Sequence, residues 1–162
     1  MRKKIIFLLA CFISLILFSC SPEITGSGSI VTQTYTPISN FTKVSVDADI
    51  DVTITYGLQK SVKVTGYDNL LDYFKISASG GILRIGMKTE YTYTNMNLTA
   101  IVVMPSITEL IVTNSGNISI DTFPTTPNLT LQTEGAGNIS ALTALRFGSL
   151  TTNISSSGSV NI

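Results

Sequence analysis

The sequence contains no histidine and no tryptophan, and its two cysteines, Cys11 and Cys20, both lie near its start. Without histidine, a Ser–His–Asp catalytic triad is excluded, because the triad uses an imidazole as its general base. If the segment that bears the cysteines is removed or modified, the rest of the chain has no disulfide and no free thiol. This excludes a disulfide scaffold and cysteine catalysis.

Positive charge is also scarce once the start of the chain is set aside. The whole sequence has 10 basic and 10 acidic residues. Three of the basic residues are Arg2, Lys3 and Lys4, so the remainder has 10 − 3 = 7 basic residues against 10 acidic ones, a net charge of −3. A chain with this balance has no basic stripe, and we expect no nucleic acid among its partners.

The start of the chain has the pattern of a secretory signal peptide. A basic beginning is followed by an uncharged apolar run, 5–18, and then by small residues. A membrane-spanning helix needs about 20 apolar residues, so a permanent transmembrane anchor fits this shorter run less well. We therefore predict a signal peptide over residues 1–19 and exclude it from fold reasoning.

The end of this segment, Leu17-Phe18-Ser19-Cys20, resembles the lipobox of bacterial lipoprotein precursors. Leu17, Ser19 and Cys20 fit that pattern, whereas Phe18 is bulkier than usual. The resemblance implies a lipid-modified Cys20 bearing acyl chains such as palmitate, and two or more chains hold a protein stably on a membrane. It places the protein in the bacterial cell envelope, with the outer membrane expected and the surface or periplasmic face left open. The alternative is an ordinary signal peptide with a chance cysteine.

The remainder divides into a predicted flexible tether, residues 20–29, and an all-β domain, residues 30–162. The tether is small, polar and glycine-containing. The domain shows period-two alternation at Val44–Val46 and Ile50–Ile54, which is typical of half-buried strands. Ser79-Gly80-Gly81 predicts a hairpin or corner. Asn69–Phe74 is one short helix or a bend, and Leu98–Val103 reads as a buried strand.

A repeat governs the C-terminal third. Gly116, Gly137 and Gly158 are equally spaced, and an aliphatic residue follows two positions after each glycine. A fixed period of about 20 residues with short β segments is typical of a solenoid. We predict a parallel β-helix with coils of about 21 residues and the glycines at its corners, where positive φ or close approach of the coils requires them. The alternative is a β-sandwich with coincidental turns.

Other motifs recur in a recognisable order, namely Gly26–Gly28, Val44–Val46, Val52–Ile54, Gly57, Val62–Gly66, Asn69–Leu71, Gly81–Ile85 and Pro105. Together with the glycine repeats, they make the chain resemble the auto-transporter adhesin head GIN domain family of Bacteroidetes-type lipoproteins. The resemblance covers residues 26–162 and implies an all-β envelope domain with a role in adhesion. Family members usually continue through further glycine-rich coils. We therefore expect either that this sequence is truncated or that its end pairs with something.

Two clusters are candidate sites. Asp47, Asp49 and Asp51 alternate, so we expect three carboxylates on one face of a strand. A flat row cannot converge on calcium unaided, so a solvated acidic face is favoured, with a calcium site as the alternative. Tyr91 and Tyr93 are expected on one face, either packed across strands or exposed to bind a sugar or a protein.

We expect no enzyme. Glu109, Asp121, Glu134 and Arg146 are the charged residues of the repeat region, and their offsets from the repeat glycines differ. They therefore do not form the convergent acidic pair that a glycan-cleaving β-helix enzyme requires. We expect neither cofactor nor metal.

The sequence favours a membrane-anchored, non-catalytic binding or adhesin-like protein with a glycan or protein ligand. One alternative is a periplasm-facing structural or envelope-stress component, and a less favoured one is a glycan-active enzyme.

Replacing the predicted lipid-bearing cysteine tests the anchor. We expect Cys20→Ala to move the protein from the membrane fraction to the soluble fraction, because no acyl chain can then be attached. Immunoblotting of fractionated cells measures this, and a variant that remains in the membrane fraction would contradict the anchor. Cys11→Ala is the matched control and should stay membrane-bound.

Overall fold

The computed structural model describes residues 21–36, 39–124 and 126–162. The predicted signal peptide and Cys20 lie outside these residues. The described chain forms short strands and one short helix, α1 (Asp68–Leu71). The strands are β1 (Glu23–Thr25), β2 (Ile30–Tyr35), β3 (Lys43–Val46), β4 (Asp51–Tyr56), β5 (Ser61–Tyr67), β6 (Phe74–Ser79), β7 (Ile82–Met87), β8 (Thr92–Thr94), β9 (Thr99–Met104), β10 (Glu109–Val112), β11 (Asn117–Ile120), β12 (Thr126–Thr133), β13 (Ile139–Ala141), β14 (Phe147–Ile154) and β15 (Val160–Asn161).

The strands form two large sheets and one small one, so the predicted all-β class is confirmed. One sheet has the order β14-β12-β10-β3-β7-β6, and the other has the order β15-β13-β11-β4-β9-β5-β2. Strands β1 and β8 form a separate pair. Pairing is parallel from β14 to β7 and from β15 to β9, and antiparallel at the other end of each large sheet.

Among β10 to β15, residues that pair on parallel strands are separated by the same number of positions as the repeat glycines. Ile118 lies opposite Ile139, which lies opposite Val160. In the other sheet, Leu110 lies opposite Leu131. Like residues are thus neighbours on successive strands, and aliphatic columns of this kind line the interior between the sheets.

Beyond β10 and β11, the parallel pairing continues to strands that do not precede them directly in the chain. Strands β3 and β4 pair with β10 and β11 on one side, with Val44 opposite Leu110 and Val52 opposite Ile118. On their other side they pair with β7 and β9. The chain therefore leaves β4, builds β5 to β9, and returns to the far side of β3 and β4. This pairing joins residues about three repeat lengths apart in the sequence, so the repeat does not reveal it.

The interior of the two sheets is aliphatic and tightly closed. Ile54, Val64, Leu83, Leu110 and Ile118 are all completely buried. Burying one such side chain stabilises the fold by about 1.5–3 kcal/mol. The strongly alternating burial of β4, β9 and β11 follows from this arrangement, since one face of each strand points into the interior.

Several local predictions have clear outcomes. Strands β6 and β7 form the predicted hairpin, with Gly80 and Gly81 at φ values of 60° and 80° in its turn. The short helix forms as α1 and buries Leu70 and Leu71. The buried strand is β9, although only alternate residues are buried. Within the ranges that the structure describes, no helix has the length and hydropathy needed to cross a bilayer.

Residues 23–29, predicted as part of a flexible tether, are joined to the domain by strand pairing and hydrogen bonds. Strand β1 pairs in parallel with β8. The amide of Asn69 donates to the carbonyl oxygen of Thr25 (2.9 Å), and the amide oxygen of Asn69 accepts from the backbone N–H of Ser27 (3.0 Å). The carbonyl oxygen of Ser29 accepts from the N–H of Asp68 at 2.9 Å. The side chain of Asn69 thus satisfies backbone groups of this segment. The composition of the segment alone does not distinguish it from a linker.

The repeat glycines lie where successive turns of the backbone come closest. A Cβ on Gly137 would overlap the carbonyl oxygen of Gly116, and one on Gly158 would overlap the carbonyl oxygen of Gly137. A Cβ on Gly116 would lie 2.6 Å from the carbonyl oxygen of Ile50. In the described chain, the glycines with positive φ are others, at positions 28, 80 and 81. Close approach of the backbone is therefore the reason for glycine at positions 116, 137 and 158.

A methyl group at the middle of this column should destabilise the fold. We expect Gly137→Ala to lower the free energy of unfolding by about 1–3 kcal/mol, because the backbone of the neighbouring turn must move. Urea unfolding followed by circular dichroism measures this.

The matched control is Gly86→Ala in β7, where the new Cβ would make an ordinary 3.5 Å contact with the Cβ of Asp47. We expect the control to change the free energy of unfolding by less than about 1 kcal/mol. Equal stability of the two variants would show that the glycine column is not under steric constraint.

Candidate functional site

The three aspartates lie around a corner and not along one strand. Asp47 follows β3, Asp49 lies in the turn, and Asp51 is the first residue of β4. The N–H of Ile50 donates to the carbonyl oxygen of Ala48 at 2.9 Å, which tightens this turn. The expectation that all three carboxylates share a strand face is therefore wrong. In residues 21–36, 39–124 and 126–162, no three His, Cys, Asp or Glu side chains are grouped in a way that could hold a metal ion.

Neighbouring turns fix two of the carboxylates. One oxygen of Asp47 accepts from the hydroxyls of Ser45 (2.6 Å) and Thr113 (3.2 Å). The amide of Asn114 donates to the carbonyl oxygen of Asp47 at 2.7 Å. The carboxylate of Asp51 accepts from the amide of Asn117 at 2.8 Å. These two aspartates hold the corner between β3 and β4 against the corner between β10 and β11.

Asp49 differs from its neighbours. Its side chain is exposed. Among the residues that the structure describes, its carboxylate has no hydrogen-bond or ion-pair partner. It is therefore the carboxylate of this corner that is available to a ligand.

Three tyrosines form a cluster next to this corner. The ring of Tyr73 lies 4.9 Å from that of Tyr91 and 6.1 Å from that of Tyr93, edge to face in both cases, and Tyr91 lies 6.4 Å from Tyr93. All three are partly exposed. The Nζ of Lys88 lies 5.2 Å from the centre of the Tyr73 ring. Tyr91 and Tyr93 are thus neighbours, as their spacing predicts. Sequence reasoning missed Tyr73 and Lys88, because their contacts are created by the pairing of β6 with β7.

The corner and the cluster enclose a surface groove of about 450 Å³. We call it the tyrosine groove. It is lined by Asp47, Ala48, Asp49, Met87, Lys88, Thr89, Tyr91, Thr92, Tyr93, Met96 and Asn114. Its volume lies in the range of small-molecule sites, and its lining combines aromatic, apolar and charged groups as such sites do.

The hydroxyl of Tyr93, a residue of the groove lining, is hydrogen-bonded and has a raised pKa. The hydroxyl of Tyr93 donates to the carbonyl oxygen of Lys88 at 2.8 Å. Burial raises the pKa of Tyr93, and the charges of Glu90, Tyr73 and Tyr91 raise it further. Tyr93 is therefore a hydrogen-bond donor at neutral pH.

The charged residues weighed as enzymatic candidates lie on separate elements. Glu109 begins β10 and forms an ion pair with Lys43 at 2.7 Å. Asp121 follows β11 and accepts from the hydroxyl of Thr55 at 3.4 Å. Glu134 accepts from Gln132, and Arg146 precedes β14. None of the four lines the tyrosine groove.

The fold and the groove thus define an all-β domain of in-register parallel strands with a small polar and aromatic surface site. Residues 40–162 match the family model described as "Putative auto-transporter adhesin, head GIN domain". The chain belongs to this family, as the sequence motifs predict.

Several solved structures are similar to this chain. A putative lipid binding protein from Parabacteroides distasonis is 20% identical with a TM-score of 0.69, and the match covers 86% of this chain and 69% of that one. A putative adhesin from the same species is 15% identical with a TM-score of 0.55, covering 86% and 75%. A putative adhesin from Bacteroides fragilis is 12% identical with a TM-score of 0.53, covering 86% and 100%. A comparison with curated proteins finds no match. At these identities the likeness concerns the fold.

The raised pKa of Tyr93 predicts a late ionisation. The difference in phenolate absorbance between the wild-type protein and Tyr93→Phe should titrate above pH 10.0, the ordinary value for tyrosine. The folded state holds this proton more tightly than the unfolded state. The stabilisation is therefore complete below about pH 10 and is lost as pH rises through the folded-state pKa. A difference titration centred at or below that ordinary value would contradict the assignment.

Proposed function

We propose that this protein is a lipid-anchored envelope lipoprotein that uses a non-catalytic β domain to bind a glycan or protein ligand, as an adhesin does. The observation that carries the proposal is the family match over residues 40–162. The lipobox at Cys20 supports envelope anchoring, and the separate positions of the repeat-region charges support a role without catalysis.

The stacked strands support a role in presenting a rigid binding surface to a ligand. We infer that β10 to β15 and their turns form a parallel β-helix-like solenoid. The support is the constant register, which is kept from β11 through β13 to β15. Polar side chains continue the stack on the outside. The amide of Asn138 donates to Asn117 at 3.0 Å, and Asn138 accepts from the hydroxyl of Ser159 at 2.7 Å. Such ladders hold the outer surface rigid, which favours recognition of a ligand without ordering cost.

A lipid-binding role is a second candidate because one similar structure, at 20% identity, is described as a lipid binding protein. In this chain, the interior columns of Ile54, Leu83 and Leu110 are completely buried and occupy the space between the sheets. Any lipid contact would therefore involve the surface, where the tyrosine groove provides aromatic and methionine side chains.

Protease shaving of intact cells tests the adhesin proposal against the periplasmic alternative. A surface-displayed domain should be digested on intact cells, because the protease reaches it without crossing the outer membrane. Immunoblotting before and after lysis measures this, with a known periplasmic protein as the control for leakage. A domain that survives on intact cells and is digested only after lysis would rule out surface adhesion and favour the structural role.

A further inference from the structure

We propose that the tyrosine groove is the membrane-facing side of the domain, where it contacts the zwitterionic headgroups of the phospholipids that hold the anchor. The inference rests on the proposed lipid anchor at Cys20 and goes beyond it, because it assigns a face of the domain and the chemistry of the surface that this face meets. Three observations support it, from the path of the chain, the side chains and the charges.

The path of the chain brings the anchor next to the groove. Strand β1 begins at Glu23, three residues after Cys20, and three extended residues span at most about 11 Å. Strand β1 pairs with β8 so that Glu23 lies opposite Thr92 and Ile24 opposite Tyr93. Paired strands are about 4.8 Å apart. The Cα of Thr92, a residue of the groove, therefore lies within about 16 Å of the Cα of Cys20.

This short connection is held in place. Residues 25–29 form backbone and side-chain hydrogen bonds with α1 and β8, and the N–H of Gly26 donates to the carbonyl oxygen of Thr94 at 2.9 Å. A Cβ on Gly26 would overlap the carbonyl oxygen of Asn95. The domain therefore cannot move away on a long linker, and lipid on Cys20 keeps β1 and β8 close to the bilayer surface.

The side chains of the groove suit the headgroup layer. Tyr91 and Tyr93 line the groove, and the ring of Tyr73 packs against both. Tyrosine combines an apolar ring with a hydroxyl and is enriched where a membrane protein meets the headgroups. Met87 and Met96 add apolar surface to the lining. Each headgroup layer is about 5–7 Å thick, which matches the reach of these rings.

The charges of the groove include both signs. Asp49 is exposed and has no hydrogen-bond or ion-pair partner among the described residues. Lys88 lies over the Tyr73 ring and forms no ion pair within the described chain. A phosphoethanolamine headgroup carries one ammonium and one phosphate, which pair with these two side chains. An anionic headgroup would meet Asp47, Asp49 and Glu90 nearby and would be repelled.

Single tryptophans provide a direct test, because the natural sequence has none. The full chain, lipidated in a bacterial host, is reconstituted into phosphatidylethanolamine-rich vesicles that contain a headgroup spin-labelled lipid, which quenches nearby indoles. Tyr91→Trp and Thr92→Trp place the probe in the groove, and Thr92 is exposed, so its replacement disturbs little packing.

Tyr56→Trp is the matched control. Tyr56 is 44% exposed and ends β4, about 17 Å along the strand from Asp51. We expect the two groove probes to be quenched at least twofold more strongly than the control. Equal quenching of the groove and control probes in a chain that floats with the vesicles would overturn this inference, leaving the groove facing solution and open to a soluble ligand, and would leave the anchor intact.

Flotation of the same vesicles tests the lipid anchor separately from the membrane-facing position of the tyrosine groove. The lipidated chain should float with the lipid, whereas Cys20→Ala should remain at the bottom of the gradient. If the wild-type chain also remains at the bottom, the anchor is wrong and the membrane-facing assignment falls with it.

Discussion

The structure depends on one steric constraint, the close in-register approach of successive turns of parallel backbone. At Gly116, Gly137 and Gly158 the carbonyl oxygen of one turn occupies the space where a Cβ of the next would lie. This contact fixes the register at the spacing of the glycines, and the register in turn places Ile118 beside Ile139 and Leu110 beside Leu131. The aliphatic interior and the outer polar ladders both follow from that single alignment.

The same constraint creates the tyrosine groove, through the pairing that does not follow chain order. Because β10 and β11 return to the far side of β3 and β4, the turn containing Thr113 and Asn114 stacks on the turn containing Asp47. On the other side of that turn lies the end of β7, and the next residues carry Lys88 and the tyrosines. A groove lined from both directions therefore forms at a corner that no single segment of the sequence encodes.

Sequence patterns within a few neighbouring residues predicted the structural features that depend on short-range contacts. The hairpin at Gly80 and Gly81 and the short helix are set by neighbouring residues, and the glycine repeat is visible because its members are sequential. The pairing of β3 and β4 with β10 and β11 and the position of Tyr73 are long-range, so alternation and spacing could not reveal them. Thr133 breaks an apolar column in the sequence, yet it is completely buried, because its neighbours in the register fix its position. The polar composition of residues 23–29 concealed the hydrogen bonds that hold them to α1 and β8.

The short connection from Cys20 to β1 gives weak contacts a large effect. A short linker holds two sites at effective concentrations in the millimolar range. A contact with a dissociation constant of about 1 mM, or about 4 kcal/mol, is then substantially occupied, although it would be negligible between free molecules. With the proposed lipid on Cys20, a few tyrosine and lysine contacts with headgroups would therefore be enough to orient the domain. Such an orientation would turn the side of the stack that carries the tyrosine groove, with the β3–β4 and β10–β11 corners, toward the bilayer. The other sides of the domain would be the surfaces available to a ligand.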